Sequence, residues 1–552
     1  MKHISLFACI CLLTLQLFAQ TTVKKTPQKA MNGVERPKLI VGIVVDQMRW
    51  DFLYRYSNRY SNNGFKRLLQ EGFTCENAFI PYTPTVTAAG HACIYTGSVP
   101  AINGIVGNAW WDKFQKKSVY CSEDPSVKSV GSNNSNNGKM SPKNMLVTTI
   151  GDELRLATNF RSKVIGVALK DRGSILPAGH SANAAYWYDV NSGNWITSTY
   201  YMQELPKWVT DFNASKIVDK YYENGWNTLY PIETYTQSTA DEKAYENKPF
   251  GVDQTKFPYQ LKKFQGNIYS SIATTPFGNS MTFDIAKAAL DNEQLGKGTE
   301  TDMLCISLSS TDYVGHSFGP NSIETEDTYL RLDKDLGDFL NYLDAKVGKG
   351  QYTVFLSADH GVAHVPGFMQ ENKLPGGLFN DTEMQKQLNA LTKEKFNVDK
   401  LIVSMYNYQV HLNNPLIDSL KLDKEAIIKT CIQHLEKQEA MAQVFEISEM
   451  METPLPVKVK NMMANGFFPS RNGEIQMVLK PGYIDGNKTG TTHGLWAPYD
   501  AHIPMVFYGW GIKHGKTNKE TYMMDIAPTI TALLKIQMPS GSIGNVVEEV
   551  MK

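Results

Sequence analysis

The chain has 552 residues, of which 42% are hydrophobic and 20% are charged, and its formal net charge at pH 7 is +0. These proportions provide for a large buried core and exclude a globally disordered protein. A balanced charge does not indicate the basic surface of a nucleic-acid-binding protein, so we expect no nucleic-acid partner.

Residues 1–20 have the pattern of a secretory signal peptide. Lys2 supplies a short positive region, residues 4–19 are mostly apolar, and a small residue precedes a cleavage point near Gln20. The alternative, an anchor helix, is disfavoured because the apolar stretch is short for a membrane span. The sequence therefore predicts a periplasmic or secreted protein with no stable membrane anchor after cleavage. Residues 21–37 are polar and aperiodic and are predicted to be a flexible lead-in.

The rest of the chain, residues 38–552, is predicted to be one large domain of the α/β class. Continuous apolar runs are typical of strands covered on both faces, as in a parallel sheet, and they occur at 38–48, 303–312, 352–361 and 503–511. Helix-like segments intervene, notably at 324–346 and 424–441. We therefore expect a central, mostly parallel sheet flanked by helices.

A threonine-rich stretch, "PTVTAAGH" at residues 84–91, contains no bulky core residue. Thr87 directly precedes Ala-Ala-Gly. This arrangement suits a turn that opens a helix, and it also suits a nucleophile presented at a helix N-terminus. Thr85 is the rival hydroxyl.

A basic pair, Lys170 and Arg172, lies at the end of a β-like run in "VIGVALKDRGS". Residues two apart on a strand project to the same face, so both side chains are expected to point together. Composition alone favours a solvated strand end for this pair.

The stretch from about 183 to 290 differs from its surroundings in amino-acid composition and periodicity. It is dense in Tyr and Trp and poor in long helical patterns. We interpret it as a cap-like insertion rather than a unit of the sheet.

Aspartates and histidines follow the apolar runs at their carboxyl ends, where functional groups collect in open α/β sheets. The candidates are Asp46, Asp312, His316, Asp359 and His360, with His493 in a later Gly/Thr-bordered loop. Each alone is more often a turn former or a helix cap, but the combination at three strand ends is improbable by chance. Mixed His and carboxylate ligands suit zinc, and three ligands for each of two ions suit two-metal phosphoryl chemistry.

The ordered motifs "VDQMRWD", "PTVTAAGH", "YTGSVPAINGIVGN", "STDYVGH", "SADHG", "TTHG" and "DIAPTI" resemble the alkaline phosphatase superfamily and its nucleotide pyrophosphatase/phosphodiesterase relatives. The strongest likeness is to the single-chain, zinc-dependent alkaline phosphatases of flavobacterial type, which use a threonine nucleophile. The likeness covers nearly the whole mature chain, so residues 38–552 are expected to form an alkaline-phosphatase-like catalytic domain.

This resemblance implies two Zn²⁺ ions per chain, each with a defined ligand set. The first ion would be held by Asp46, Asp359, His360 and the oxygen of Thr87. The second would be held by Asp312, His316 and His493. The family pattern places the nucleophile four residues before a histidine, and this selects Thr87 over Thr85.

The resemblance also implies a phosphoryl-binding group made of Asn108, Lys170 and Arg172. Two Zn²⁺ ions and three aspartates carry a formal charge of +1, which the basic pair raises to +3 and a Thr87 alkoxide lowers to +2. A monoester dianion balances that charge better than a diester monoanion does. We therefore expect hydrolysis of small phosphate monoesters through a phospho-threonine. A nucleotide pyrophosphatase/phosphodiesterase on the same site is the alternative.

Other functions and structures fit the residues less well. A sulfatase needs a C-x-P-x-R context that Cys93 lacks, and a phosphoglycerate mutase would not carry a signal peptide. A zinc-stabilised binding module without catalysis would be expected to have lost a residue such as Thr87 or His493. The five cysteines beyond the signal peptide are too sparse for a disulfide scaffold, although an exported protein can still form one or two bridges, whose pairing the sequence does not specify. The sequence carries no signal for the oligomeric state.

Overall fold

The computed structural model describes residues 34–132 and 136–552. The predicted signal peptide and residues 21–33 of the predicted lead-in lie outside the described residues. Pro37–Lys552 form one compact unit. None of the described helices is both long and apolar enough to cross a membrane.

The described strands, in chain order, are β1 Leu39–Val45, β2 Phe73–Phe79, β3 Ala109–Asp112, β4 Lys117–Tyr120, β5 Ser129–Val130, β6 Val164–Ala168, β7 Ala184–Asp189, β8 Asn194–Ser198, β9 Asp302–Leu308, β10 Tyr352–Ser357, β11 Gly377–Phe379, β12 Ile402–Ser404, β13 Gln409–Leu412, β14 Met441–Glu446, β15 Ile475–Leu479, β16 Tyr483–Asp485, β17 Met505–Gly509 and β18 Gly515–Tyr522.

The described α-helices are α1 Phe52–Arg55, α2 Phe65–Glu71, α3 Thr87–Thr96, α4 Pro100–Asn103, α5 Ile150–Ala157, α6 Asp171–Ala178, α7 Lys207–Ala214, α8 Ile217–Glu223, α9 Phe277–Asn292, α10 Ser310–Phe318, α11 Ile323–Leu343, α12 Pro366–Glu371, α13 Asp381–Phe396, α14 Asn414–Ser419, α15 Lys424–Leu435, α16 Val457–Gly466, α17 Pro498–Ala501 and α18 Ile526–Leu534.

A ten-stranded sheet forms the centre of the molecule, in the order β18-β2-β17-β10-β1-β9-β6-β7-β8-β5. The five neighbours β10, β1, β9, β6 and β7 run parallel to one another. Every residue of β1, β9 and β10 is buried, which explains why these strands read as continuous apolar runs. The predicted α/β class, with a central sheet flanked by helices, is confirmed.

The sheet is less parallel than the sequence suggested. Strand β17, one of the four apolar runs, is antiparallel to both β10 and β2, and β8 is antiparallel to β7. Burial on both faces produces the same apolar run in either strand direction, so the run alone does not specify orientation.

Both ends of the stretch 183–290 belong to the central layers. Strands β7 and β8 extend the main sheet, and helix α9 packs against β9. The aromatic residues of these two strands are core residues, since Tyr186, Trp187 and Trp195 are at most 2% exposed. The segment outside the sheet framework is therefore confined to residues between β8 and α9.

A second, smaller unit of structure lies between β11 and β16 and was not predicted. It contains the four-stranded sheet β12-β13-β15-β14, packed on α13 and α15 over its own hydrophobic core. Helix α15 begins where predicted, and its cap residue Asp423 accepts a hydrogen bond from the Ala426 N–H at 3.0 Å. It ends at Leu435 rather than near 441, because residues 436–440 form a turn before β14 begins at Met441.

The five cysteines discussed above are buried and unpaired: Cys75, Cys93, Cys121, Cys305 and Cys431. The described part of the chain is therefore held together by its core and not by disulfide bonds.

Candidate active site

Four adjacent parallel strands bring the chemistry-bearing residues to one edge of the sheet. Asp46 follows β1, Asp312 lies in the first turn of the helix after β9, and Asp359 follows β10. Lys170 follows β6 by two residues. Because the carboxyl ends of parallel strands meet at the same edge, residues far apart in sequence become neighbours. The three aspartates are at most 3% exposed.

The three predicted histidine ligands share one arrangement. Each Nδ1 lies within hydrogen-bonding distance of a main-chain carbonyl oxygen: His316 with Thr491 at 2.7 Å, His360 with Gly361 at 3.0 Å and His493 with Thr85 at 2.7 Å. A carbonyl only accepts, so each Nδ1 carries a proton, and in the neutral imidazole the Nε2 atom keeps its lone pair. This is the orientation in which a second-shell acceptor fixes an imidazole for metal binding.

The Nε2 atoms of these histidines lie against the aspartate oxygens. His316 Nε2 is 3.1 Å and His493 Nε2 is 3.6 Å from Asp312 Oδ1. His360 Nε2 is 3.5 Å from both Asp46 Oδ1 and Asp359 Oδ2. Burial lowers the pKa of His360 to about 3, so this imidazole is neutral and available as a ligand.

The described residues contain two groups of possible ligands, and within each group the ligand atoms lie within 4.8 Å of one another. The first, Asp46, Asp359 and His360, coincides with the first predicted ligand set. The second is Asp312, His360 and His493, in which His360 stands where His316 was predicted. His316 nevertheless directs its Nε2 at the same Asp312 oxygen, so the structure brings all six predicted ligands to one place.

The carboxylates of this cluster lack sufficient protein donors. Asp46 Oδ1 and Asp359 Oδ2 are buried and have no hydrogen-bond partner in the described part of the chain. Burial, together with the charge of Asp312 on Asp46 and of Asp46 on Asp359, raises the pKa of both groups. Buried, unpaired carboxylate oxygens beside imidazole lone pairs form a donor set that fits divalent cations, and the mixed N/O ligands fit zinc.

Thr87 is the first residue of helix α3 and is 1% exposed. Its Oγ1 lies 3.5 Å from His360 Nε2 and 3.5 Å from Lys170 Nζ. The hydroxyl of Thr85 instead donates to the Leu495 carbonyl at 2.9 Å. Of the two threonines, Thr87 therefore has the hydroxyl that faces the cluster of candidate ligands.

Close packing explains one of the small residues after Thr87, namely Gly90. A Cβ atom on Gly90 would lie 2.4 Å from the carbonyl oxygen of Asp359, so only glycine lets helix α3 approach this strand end. His91 lies one turn after Thr87, with Nδ1 2.8 Å from the Thr87 carbonyl and Nε2 2.8 Å from Ser307 Oγ. It is a structural histidine that supports the start of this helix.

Lys170 and Arg172 are not on a strand, and the expectation that they share a strand face is wrong. Strand β6 ends at Ala168, Lys170 caps helix α6, and Arg172 lies in its first turn. Lys170 is extended, at φ −80° and ψ 131°, but Asp171 already begins the first helical turn, so the alternation of a strand does not continue to Arg172.

The ammonium group of Lys170 bridges two of the candidate ligands. Its Nζ is 2.7 Å from Asp46 Oδ2 and 2.6 Å from Asp312 Oδ2. Burial disfavours its charge, but Asp312 and Asp46 more than compensate and raise the pKa of Lys170 above its usual value. Lys170 thus places a positively charged group between the two predicted metal sets.

Arg172 and Asn108 each leave donors unused. Arg172 Nη1 donates to the Tyr120 hydroxyl at 3.0 Å, whereas its buried Nε has no partner in the described residues. The Asn108 side-chain oxygen accepts from the Ala88 N–H at 2.9 Å, so the amide NH₂ group is the end that remains for a ligand oxygen.

Gln47 was missed by the sequence analysis. Its main-chain N–H donates to Asp359 Oδ1 at 3.1 Å, and its side-chain Nε2 donates to Asp312 Oδ1 at 2.7 Å. It is 2% exposed and adopts φ 67°, a left-handed conformation that is uncommon for this residue type. Nothing in the sequence around Gln47 signals such a conformation.

Comparison with known proteins gives a consistent family. Residues 40–499 match the family model described as type I phosphodiesterase / nucleotide pyrophosphatase. Alkaline phosphatase PhoV of Synechococcus elongatus is 54% identical over 99% of this chain and 99% of its own length. A Myroides odoratus protein that bears the name calcium-transporting ATPase is 54% identical over 95% of this chain and 96% of its own. Alkaline phosphatase PafA of Elizabethkingia meningoseptica is 51% identical over 94% and 95%, respectively.

Solved structures of PafA extend this similarity to three dimensions. One covers 94% of this chain and 100% of that chain, with a TM-score of 0.92 at 51% identity. Another is of a variant substituted at one Thr, one Asn, one Lys and one Arg, with the same spacing along the chain as Thr87, Asn108, Lys170 and Arg172. From the family match and the identities of 51–54% over nearly its full length, the chain belongs to the type I phosphodiesterase / nucleotide pyrophosphatase family of the alkaline phosphatase superfamily, as a homologue of the alkaline phosphatases PafA and PhoV.

Proposed function

We propose that this protein is an exported zinc-dependent alkaline phosphatase that hydrolyses small phosphate monoesters through a phospho-threonine at Thr87. The observation that carries the proposal is the position of the Thr87 hydroxyl, 3.5 Å from both His360 Nε2 and Lys170 Nζ, at the edge of the carboxylate and imidazole cluster. The names of PafA and PhoV support the reaction, and the pattern of residues 1–20 supports export to the periplasm or medium.

The donor atoms present fit two zinc ions. Asp46, Asp359, His360 and the Thr87 oxygen would hold one ion. Asp312, His316 and His493 would hold the other. When bound, the two ions supply Lewis-acid activation of the attacking and leaving oxygens.

The proposed reaction begins at Thr87. The Thr87 hydroxyl gives up its proton, its Oγ1 attacks the phosphorus atom, and the phosphorus–oxygen bond to the alcohol breaks. The alcohol oxygen leaves with the electron pair and takes up a proton. Water then attacks the phospho-threonine, which regenerates the hydroxyl and releases inorganic phosphate. Thr87 begins helix α3, and the N-terminal end of a helix stabilises negative charge on this oxygen.

The phosphoryl group would be held by Asn108, Lys170 and Arg172. Arg172 can fork across two phosphoryl oxygens, Lys170 contributes a point charge, and the Asn108 amide donates a hydrogen bond. A monoester carries more negative charge on its terminal oxygens than a diester, so these donors favour monoesters. The matching spacing of the four residues substituted in the PafA variant supports this assignment.

A second candidate function is nucleotide pyrophosphatase or phosphodiesterase activity on the same site. It is favoured by the description of the family model that matches residues 40–499. The two activities share the nucleophile and the metals and differ in what occupies the position of the third phosphoryl oxygen.

Comparing p-nitrophenyl phosphate with bis-p-nitrophenyl phosphate tests the proposal. We expect kcat/KM for the monoester to exceed that for the diester by about 10- to 150-fold, since one charge-assisted contact is worth about 1.5–3 kcal/mol. A chelator should abolish both activities, and added zinc should restore them. A preference for the diester would favour the second candidate, and activity that survives complete zinc removal would contradict the metal assignment.

Replacing Gln47 with methionine should weaken zinc binding at one site only. Methionine is of similar size but cannot donate to Asp312, whereas the main-chain N–H that serves Asp359 remains. Loss of a second-shell hydrogen bond typically lowers metal affinity by about 10–100-fold. Zinc content per chain, measured during titration with a chelator, should show the Asp312 ion leaving early and the Asp359 ion leaving at the wild-type concentration. Simultaneous early loss of both ions would instead indicate a general disruption.

A further inference from the structure

A turn of the second, unpredicted sheet reaches the phosphoryl-binding side of the site. Tyr406–Tyr408 connects β12 to β13. Asn407 has φ 60° and ψ 35°, and the following Tyr408 has φ 59°. Two successive non-glycine residues in the left-handed region are uncommon, and for a bulky residue such as Tyr408 this is an outlier that the surroundings must impose.

The Asn407 side chain contacts both chain neighbours of Asn108. Its Nδ2 donates to the Ala109 carbonyl at 3.2 Å. On the other side, a Cβ atom on Gly107 would lie 2.6 Å from both Asn407 Oδ1 and Asn407 Nδ2. The absence of a side chain at Gly107 therefore provides the space in which the Asn407 amide rests.

Other residues of the site form hydrogen bonds with both the side chain and the main chain of Asn108. Its side-chain oxygen accepts from the Ala88 N–H at 2.9 Å, and its carbonyl accepts from the Cys121 N–H at 3.0 Å. These bonds tie it to helix α3 and to the hairpin β3-β4. The Asn407 amide adds a contact on each flanking peptide, so the loop is fixed from the side of the second sheet as well.

The same turn is anchored on both sides of this contact. The Tyr406 hydroxyl is 2.9 Å from Ser118 Oγ in strand β4, and the Tyr408 carbonyl accepts from Gln476 Nε2 at 3.1 Å in strand β15. The Tyr408 hydroxyl donates to the His493 carbonyl at 3.4 Å. The turn thus links the loop of Asn108 to the loop of a candidate zinc ligand.

We propose that Asn407 is a positioning residue for phosphoryl recognition, and that through it the second sheet sets the place of the Asn108 amide. The inference rests on the proposed function, because it assigns Asn108 to the phosphoryl oxygens. It explains why an asparagine, the residue that best tolerates a left-handed conformation after glycine, stands at this position of the turn.

Asn407→Gly isolates the side chain, because glycine keeps the left-handed backbone and removes only the amide. Losing one neutral hydrogen bond corresponds to a decrease of roughly two- to tenfold, and we expect this decrease in kcat/KM for p-nitrophenyl phosphate. Zinc content and thermal midpoint should match the wild type. Tyr483→Phe is the matched control, because it removes an exposed hydroxyl bond to Glu439 that does not involve this turn and should leave kcat/KM unchanged.

A double-mutant cycle with Asn108→Ala decides whether Asn407 acts through Asn108. In the Asn108→Ala background, Asn407→Gly should have no further effect. The same decrease in both backgrounds, or no decrease in the wild-type background, would overturn the proposal.

The cycle is also run on the dissociation constant of inorganic phosphate, measured by calorimetry on the zinc-loaded protein. That readout does not require turnover. If the protein does not hydrolyse monoesters but the phosphate-binding cycle still shows coupling between Asn407 and Asn108, the proposed function alone is rejected. If the phosphate-binding cycle shows no coupling, the role of Asn407 alone is rejected.

Discussion

Thr87→Ala is expected to abolish the phosphorylated enzyme and to lower kcat/KM for phosphate monoesters by more than about a thousandfold, the scale seen when a nucleophile is removed. The reason is specific to the attacking oxygen, since six further candidate zinc ligands remain after the substitution. Zinc content should therefore stay near two ions per chain. The measurement is acid trapping of the phosphorylated protein followed by peptide mapping by mass spectrometry, with zinc analysis of the same sample.

Thr87→Ser is the matched control. It retains an attacking oxygen and removes only a methyl group, so substantial activity and a phosphorylated serine at the same position are expected. Phosphate found on Thr85, or on no residue of the wild-type protein, would contradict the assignment. The geometry already separates the two threonines, because the Thr85 hydroxyl is engaged by the Leu495 carbonyl.

Removing both Lys170 and Arg172 should reduce monoester hydrolysis far more than diester hydrolysis. Each charge-assisted contact to a phosphoryl oxygen is worth about 1.5–3 kcal/mol, so the double alanine variant should lose at least roughly a hundredfold in monoester kcat/KM. A diester carries less charge and presents an ester group in one of these positions. The measurement is kcat/KM for a matched monoester and diester on the same zinc-loaded preparation.

The single variant Arg172→Ala is the cleaner arm of this experiment. Lys170 lies 2.7 Å from Asp46 and 2.6 Å from Asp312, so its loss also removes charge from the candidate ligands. Arg172 instead contacts the Tyr120 hydroxyl, and its removal leaves the ligand sets intact. An equal decrease for both substrates in Arg172→Ala would show that this residue supports the fold rather than the choice of ester.

The parts of the site that were predictable are those that follow a buried parallel strand. Asp46, Asp312 and Asp359 could be found because an apolar run gives the strand, and the strand's carboxyl end gives the location of function. The histidines beside them could be grouped by the same rule. Thr87 required the family pattern in addition, because a hydroxyl before small residues is equally typical of a helix cap.

Features that depend on tertiary contacts could not be predicted in this way. The direction of β17 is set by its neighbours and not by its composition, which is apolar in either direction. The contacts of Gln47 depend on its positive φ, and the residue is not a glycine, so the sequence does not indicate this conformation. The second sheet was missed because its strands are short, three to six residues each, and its helix α15 suggested a unit of the main sheet.

Along the chain, the candidate zinc ligands extend from Asp46, directly after β1, to His493, in the loop that precedes β17. Such separations mean that loop closure over most of the chain precedes formation of the site, which is a slow kind of folding. No fragment ending before His493 contains both ligand sets. The proposed zinc ions would bind the completed fold in preference to any partly folded form, and at a thousandfold excess over its dissociation constant each ion would add about 4 kcal/mol to the free energy of unfolding. The same ions that would activate the phosphoryl group would therefore also protect the whole sheet against unfolding.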